Sequence, residues 1–500
     1  TQEPVILASA FGISGSITET TCTFTAGNNR ITVANTSSFS VGHGVSIEGA
    51  GNAGVLDGWL VTSIVAIDGK TITLADAPKR SGSTKRFLHD DSAAMQRAVN
   101  APGPKLVIDV DHCYIYNVKL RSDLHITGYK PVLYAPPYTT NPNHQYNVDY
   151  QMFYMIGQSN IVIENLVFDQ GSTRGIQGDI YNGVLSFRSI NSENISFIGN
   201  RFQNGAYLAG RNYGTQKNIR FYRNTFNNVD TAIHFYGGLT ADGITIEENT
   251  VNGGTSECVA IISGQTPYTY AKNIKILNNT FTNKPNSAAI FYGANTTACE
   301  IAYNKIENCL GGIVCNDTLI EAQPIRSSQI YIHDNTMKNG GWYGILAAGS
   351  NITISGNTIA DYRADGIGFD PTITSENVIV SGNIVDNCGT DGGYAGIRLQ
   401  YLRNAEISEN TVSARVKYKD GIMLRDMLKG IRIHHNKIPS GNPLYITIIS
   451  QLISFEDISI TNNQFYGWAV YSTDMVKLES KNIVLYGNTY QDTPWCFLYQ

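Results

Sequence analysis

The chain has 500 residues, only 15% of them charged, and a formal net charge of −5; it lacks the basic balance that nucleic acid requires, and a nucleic-acid partner is excluded. No run of 18 apolar residues occurs, so no membrane insertion is expected. Gly (48) and Tyr (29) are abundant, which fits an elongated all-β chain rich in aromatic and polar contacts.

Residues 1–87 alternate as strands, with Thr62–Ile67 and Thr71–Leu74 facing each other across Asp68-Gly69, a hairpin signal. A small N-terminal β domain is expected there, and a second domain over 88–500. Asp90-Asp91-Ser92-Ala93-Ala94-Met95-Gln96-Arg97-Ala98-Val99 predicts a short helix, capped by Asp91 or Ser92, with Ala94, Met95, Ala98 and Val99 on its apolar face. It precedes the strand Leu106-Val107-Ile108-Asp109-Val110, so it is placed to cover the open end of the sheet that this strand begins.

Beyond that strand the chain repeats one phrase. Apolar-x-apolar-x-x-Asn-x-apolar appears at Asn200, Asn224, Asn249, Asn279, Asn304, Asn335, Asn357, Asn383, Asn410, Asn436, Asn463 and Asn488, roughly 22 to 31 residues apart, a period that marks solenoids. Apolar alternation by twos means strand. Each repeat therefore reads as one coil of a single-stranded parallel β-helix, its strands about 4.8 Å from the next coil, with Asn suited to a left-handed turn and to a stacked amide ladder. At Ile161-Val162-Ile163-Glu164-Asn165 the Asn comes one place early. A second strand is phased to the first, with inward Ile233, Ile290, Ile313, Ile345, Ile367, Ile397 and Ile422. Each following residue is expected to point outward, free of packing. Insertions at Pro136–Tyr150, Ser263–Lys272, Thr318–Ser328 and Cys388–Ala395 are expected to bulge from one edge, where binding loops lie. The eight cysteines form no CxxC pair and read as buried free thiols.

The helix phrase together with coils such as Asn194-Ile195-Ser196-Phe197-Ile198-Gly199-Asn200-Arg201-Phe202 resembles the pectate-lyase-like right-handed β-helix superfamily, and within it bacteriophage tailspike polysaccharide depolymerases, over residues 88–490. That resemblance implies an all-β, right-handed parallel β-helix that acts on a polysaccharide partner, assembles as a homotrimer, and works in a virion tail or as a secreted, extracellular protein. The superfamily holds hydrolases, lyases and epimerases.

Stacking also serves as a ruler. Asp365 and Asp420 each lie two places before an inward Ile, with Ala395 between, so their backbones should stand about 9.6 Å apart. This is the upper edge of the roughly 6.5–9.5 Å carboxyl separation of inverting glycosidases. Asp370, Gln400 and Arg425 share one outward column, and Gly368, Arg398 and Met423 the next, so Gly368 should open a hollow beside Arg398. Asp365, Asp370, Asp420 and the loop residue Asp391 are the candidate catalytic carboxylates. Arg398, Gln400, Arg425, Tyr394, Trp342, Tyr362, His234 and Tyr236 are the candidate substrate contacts, the aromatics because their faces pack on pyranose rings. The rival reading of the Asp residues is turn chemistry before Gly. An endo-acting glycoside hydrolase is the leading reading, a lyase using Arg398, Arg425 and a Tyr or His the second, and a non-cleaving adhesin the third. No cofactor is expected and no metal, since no His/Cys/Asp cluster has ligand spacing.

Overall fold

The computed structural model describes residues 4–53, 56–139, 151–171, 184–236, 238–263, 269–316, 327–415, 420–439, 442–447, 454–466, 470–472 and 479–491. Three of the expected insertions fall largely outside them. The chain forms two compact units, residues 1–212 with 217–234 and residues 213–216 with 235–500.

In the first unit the strands Glu19–Phe24, Arg30–Val33, Thr71–Leu74, Leu60–Asp68, Gly44–Ile47 and Gly82–His89 close into a small antiparallel barrel. Alternation fills it: Phe24, Ile31, Val33, Val45, Ile47, Ile64, Ile72, Leu74 and Phe87 point inward and are buried. The expected hairpin is present, with Asp68 opposite Thr71 and Gly69 at φ 58°. Val5–Leu7 does not join the barrel but runs parallel to Lys105–Ile108, the first solenoid strand.

The single described α-helix, Ser92–Asn100, buries Ala94, Met95, Ala98 and Val99. Its cap differs from expectation. Asp91 makes no cap bond; its carboxylate instead accepts from the Ser14 N–H at 2.7 Å, and Asp90 accepts from the Ser92 N–H at 3.1 Å. Burial pushes the Asp91 carboxyl up to about 7 even though the bonds from Ser14 oppose the rise. At the far end Arg121 donates to the carbonyls of Val99 at 2.8 Å, Ala101 at 3.1 Å and Gly103, meeting acceptors that the last turn leaves open.

Inside the first coils the rings stack in files. Phe168, Phe202 and Phe226 lie 5.0 and 4.8 Å apart at 5° and 10°, and Phe197 on Phe221 at 4.7 Å. Phe202→Leu removes both stacked contacts of the central ring and its edge contacts with Phe187 and Phe197, and is expected to cost about 1 to 3 kcal/mol. The shift of the denaturant midpoint reads this, and an unchanged midpoint would contradict the stacking.

The second unit is a parallel β-helix whose inward positions stay in register. Ile274, Cys299, Ile330, Ile352, Val378, Ala405, Ile431 and Ile458 form one file, and Ile290, Ile313, Ile345, Ile367, Ile397 and Ile422 a second. The motif asparagines are laddered from Asn249 to Asn488 and are buried from Asn249 to Asn463, Asn488 being half-buried. Each Oδ1 accepts both the backbone and the side-chain N–H of the preceding Asn; Asn383 takes them from Asn357 at 3.0 Å each and donates onward to Ile354 O and Asn410 Oδ1 at 2.9 Å. Asn200 and Asn224 make the same step in the first unit.

Of the two reasons expected for Asn, the amide ladder is present and the left-handed turn is not. The left-handed residue is the one before it: Glu248, Asn278, Tyr303, Asp334, Gly356, Gly382, Glu409, His435, Asn462 and Gly487 all have φ near +60°. This also explains the early Asn165, which fills the left-handed place at φ 56° while Leu166 takes the ladder slot and its N–H bonds Asn200 Oδ1 at 3.0 Å. Among the described residues seven cysteines are buried and unbridged, as expected.

Candidate functional site

The second strand carries the predicted site, and its outer face is not bare. Val314, Leu346, Tyr343, Ala288 and Ala364 form a buried cluster there, with Phe291, Trp342 and Tyr394 packed against it. The expectation that residues after the inward Ile are free of packing is therefore corrected. An outer layer of aromatic side chains from the preceding turns shields them from water.

Asp365 lies beneath this layer with its side chain fully enclosed, and Arg398 Nη2 stands 2.8 Å from its Oδ2 at 6% side-chain exposure. The Ala395 N–H donates to Asp365 Oδ1 at 2.8 Å. The ion pair is close but poorly aligned, since Asp365 Oδ2 and Arg398 Nε both lack a hydrogen bond. Burial consequently outweighs the opposing pull of Arg398, the Ala395 N–H and Arg425, and the carboxyl is pushed up to about 7. Arg398 also sits under two rings, its guanidinium carbon 5.2 Å from the Tyr394 centroid and 5.8 Å from that of Tyr343, and its Nη2 donates to Tyr343 Oη at 3.4 Å. Burial pushes the Tyr343 phenol up to about 12, only partly offset by Arg398. Trp342 adjoins them, its ring tilted by 58° and centred 5.1 Å from that of Tyr343.

Gly368 does not open a hollow beside Arg398. A Cβ there would stand 2.8 Å from Asp365 Oδ2, so the missing side chain is the space the carboxylate occupies. Gly368→Ala is expected to displace the carboxylate and cost about 1 to 3 kcal/mol, as overpacking does. A thermal midpoint equal to wild type would contradict the fit.

The other candidates are placed differently. Asp370 accepts from the Thr372 N–H at 2.8 Å and its hydroxyl at 2.5 Å, a local turn. Asp391 sits on an exposed loop 3.2 Å from Arg363 Nε. Gln400 is buried and donates to Phe369 O at 2.7 Å, and Arg425 lies 3.3 Å from Asp426. Asp420 pairs in register with Ala395, as the ruler requires, but its side chain lies outside the described residues. Tyr362 is a correction: it fills the solenoid interior, where a Cβ on Gly340 would meet its ring at 2.0 Å, and cannot touch substrate. His234, expected on the surface, is 8% exposed, and burial lowers its imidazole to about 3, so it is neutral. Tyr236 is half-buried. Tyr343, one of the aromatics crowded in this stretch of the sequence though not among the candidate contacts, joins the site from its place directly before Gly344-Ile345, one coil ahead of Asp365. Among the described residues no group of three or more His, Cys, Asp or Glu could hold a metal ion.

Residues 268–369 and 324–489 match the family described as right handed beta helix region. No curated protein matches the sequence. Among solved structures, similarity extends to PfbA, a surface adhesin of Streptococcus pneumoniae, with 16% identity over 79% of this chain and 88% of that one at TM-score 0.43. A tailspike protein of E. coli bacteriophage HK620 in complex with pentasaccharide has 12% identity over 74% of each chain at TM-score 0.47. The A-module of a mannuronan C-5 epimerase of Azotobacter vinelandii has 13% identity over 79% and 95% at TM-score 0.37. Over residues 268–489 the chain is a right-handed parallel β-helix.

Proposed function

We propose that the protein is an endo-acting glycoside hydrolase of a bacterial surface polysaccharide, with Asp365 as proton donor to the departing sugar oxygen. The observation that supports this is the enclosure of the Asp365 side chain beside Arg398 and the Ala395 N–H, where burial pushes the carboxyl up to about 7: a carboxylic acid that keeps its proton near neutrality is what general-acid cleavage needs. Asp420, two rungs along the same column with Ala395 between them, is the second carboxylate and activates water. Arg398 positions Asp365 and a sugar hydroxyl. A sugar ring reaches them by taking the place of Tyr394, which follows Gly392 and Gly393, two glycines with open space around them and Gly393 at φ +83°. Elimination is the less favoured chemistry, because a Tyr343 phenol held at about 12 is a poor base at neutral pH.

The test is to incubate the protein with a panel of purified capsular and O-antigen polysaccharides and measure product masses. Hydrolysis adds one water per cut. Products without added water that absorb as unsaturated uronides assign a lyase, and chains of unchanged length assign an adhesin; either overturns the proposal. The homotrimer implied by the resemblance is read by light scattering as three times the chain mass.

A further inference from the structure

A groove of about 600 Å³ runs along the outer face of the apolar-x-apolar strands, away from the strand that carries Arg398. Two columns line it. One is the outward file Tyr331, Thr353, Ile379, Glu406 and Arg432, one residue per coil. The other is the left-handed file Asn351, Asn377, Asn404, Gly430 and Asp457, continued beyond the groove by Asn482, all with φ between 53° and 67°.

In the second file each side-chain amide donates to the one before it: Asn377 to Asn351 at 3.2 Å, Asn404 to Asn377 at 3.5 Å, and Asn482 to Asp457 at 2.9 Å. The register aligns Asn404, Gly430 and Asp457 on successive coils. At Gly430 the file has no side chain, so the ladder breaks for one rung and Asn404 Oδ1 has no neighbour to donate to it. A Cβ at 430 would stand 2.9 Å from that oxygen.

The notch is thus bounded by an amide oxygen and by the Asp457 carboxylate. Beside it Arg432 is engaged by Glu406, which His434 also approaches at 3.4 Å. Two carboxylates, Asp457 and Glu406, stand against the one guanidinium of Arg432, which Glu406 already holds, so the lining is net negative and suits a ligand that carries no negative charge and donates hydrogen bonds to Asp457 and the free amide oxygen. Tyr331 and Ile379, 45% and 43% exposed, add apolar surface of the kind that packs on a pyranose face. We propose that the Gly430 notch is a second, non-cleaving subsite that holds a neutral sugar of the polysaccharide by its hydroxyls and anchors the chain along the solenoid. It rests on the proposed function in taking the ligand to be a glycan.

Gly430→Asn tests this with little risk to the fold, because Asn is the usual occupant of this left-handed file and its amide continues the ladder to Asn404. Wild type and variant are run in affinity gels, each containing one polymer from the panel of neutral O-antigen and acidic capsular polysaccharides. Wild type should be retarded by a neutral polymer, Gly430→Asn should bind it at least 10-fold more weakly, and cleavage of a short oligosaccharide should be unchanged. Equal retardation of the two proteins, or retardation of wild type by acidic polymers only, overturns the subsite. Retardation without cleavage would sink the hydrolase and leave the subsite standing. Should Gly430→Asn fold poorly, Tyr331→Ala on the exposed face serves instead and should weaken binding several-fold, with an unchanged affinity counting against the site.

Discussion

Asp365→Asn is expected to lower polysaccharide cleavage by about 10²- to 10⁴-fold, the range that general-acid catalysis supplies, while leaving the coils folded. Asn matches Asp in size and still accepts the Ala395 N–H through its Oδ1, so packing beneath Tyr343 and Tyr394 is retained, but its Nδ2 then meets Arg398 Nη2 as donor against donor where Oδ2 stood 2.8 Å away. The transferable proton and the favourable contact to Arg398 are both lost. Stability gives a second readout with a definite sign. In the folded chain the carboxyl titrates at about 7, above its ordinary value of 3.8, so between those limits the folded state binds a proton that the unfolded chain has released. Its contribution is fully present below about pH 4 and is lost as pH rises to 7, on the order of 4 kcal/mol across the window. Asp91 adds in the same direction. The variant should show a shallower fall than wild type between pH 4 and 7, measured as unfolding midpoint against pH, and parallel curves would contradict the assignment.

Asn383→Ala is expected to be the costliest single change to the scaffold, at roughly 3 to 5 kcal/mol. It strands the backbone and side-chain N–H groups of Asn357 and leaves Ile354 O without its amide donor, all in the buried ladder, and each unmet buried group costs about 1 to 3 kcal/mol. Asn377→Gly is the matched control. Asn377 is exposed, its left-handed φ of 56° suits glycine, and only the outer ladder loses a partner, so its effect should stay within about 1 kcal/mol. Because coils contact only their neighbours, the loss should be local, and amide exchange should speed up in the coils flanking residue 383 before the rest. Equal midpoints for the two variants would refute the ladder as a stabilising element.

The repeat made most of the scaffold legible. Stacked coils leave little freedom once the inward Ile and the Asn are in phase, and Asp420 accordingly lands opposite Ala395. The outer layer was harder to foresee. Alternation tells which way His234, Val314 or Arg398 points, but says nothing of whether side chains from the preceding turns fold back over them. Tyr343, Trp342 and Tyr394 do so from irregular turns, where no period guides the reader. Tyr362 was misplaced for a related reason. It closes the strand Thr358–Tyr362, and the absent side chain of Gly340 on the adjacent coil makes room for its ring inside. Glycine misled in the same way at Gly368, where the missing Cβ accommodates the Asp365 carboxylate instead of a ligand.

Infrared difference titration of wild type against Asp365→Asn from pH 4 to 9 reads whether Asp365 holds its proton near neutrality beneath the aromatic layer. Wild type should show a protonated-carboxyl component that fades with a midpoint near 7 and is missing from Asp365→Asn, where of the two carboxyls raised to about 7 only Asp91 remains. Identical spectra for the two proteins above pH 5 would mean that Asp365 is already ionised there and would overturn the assignment.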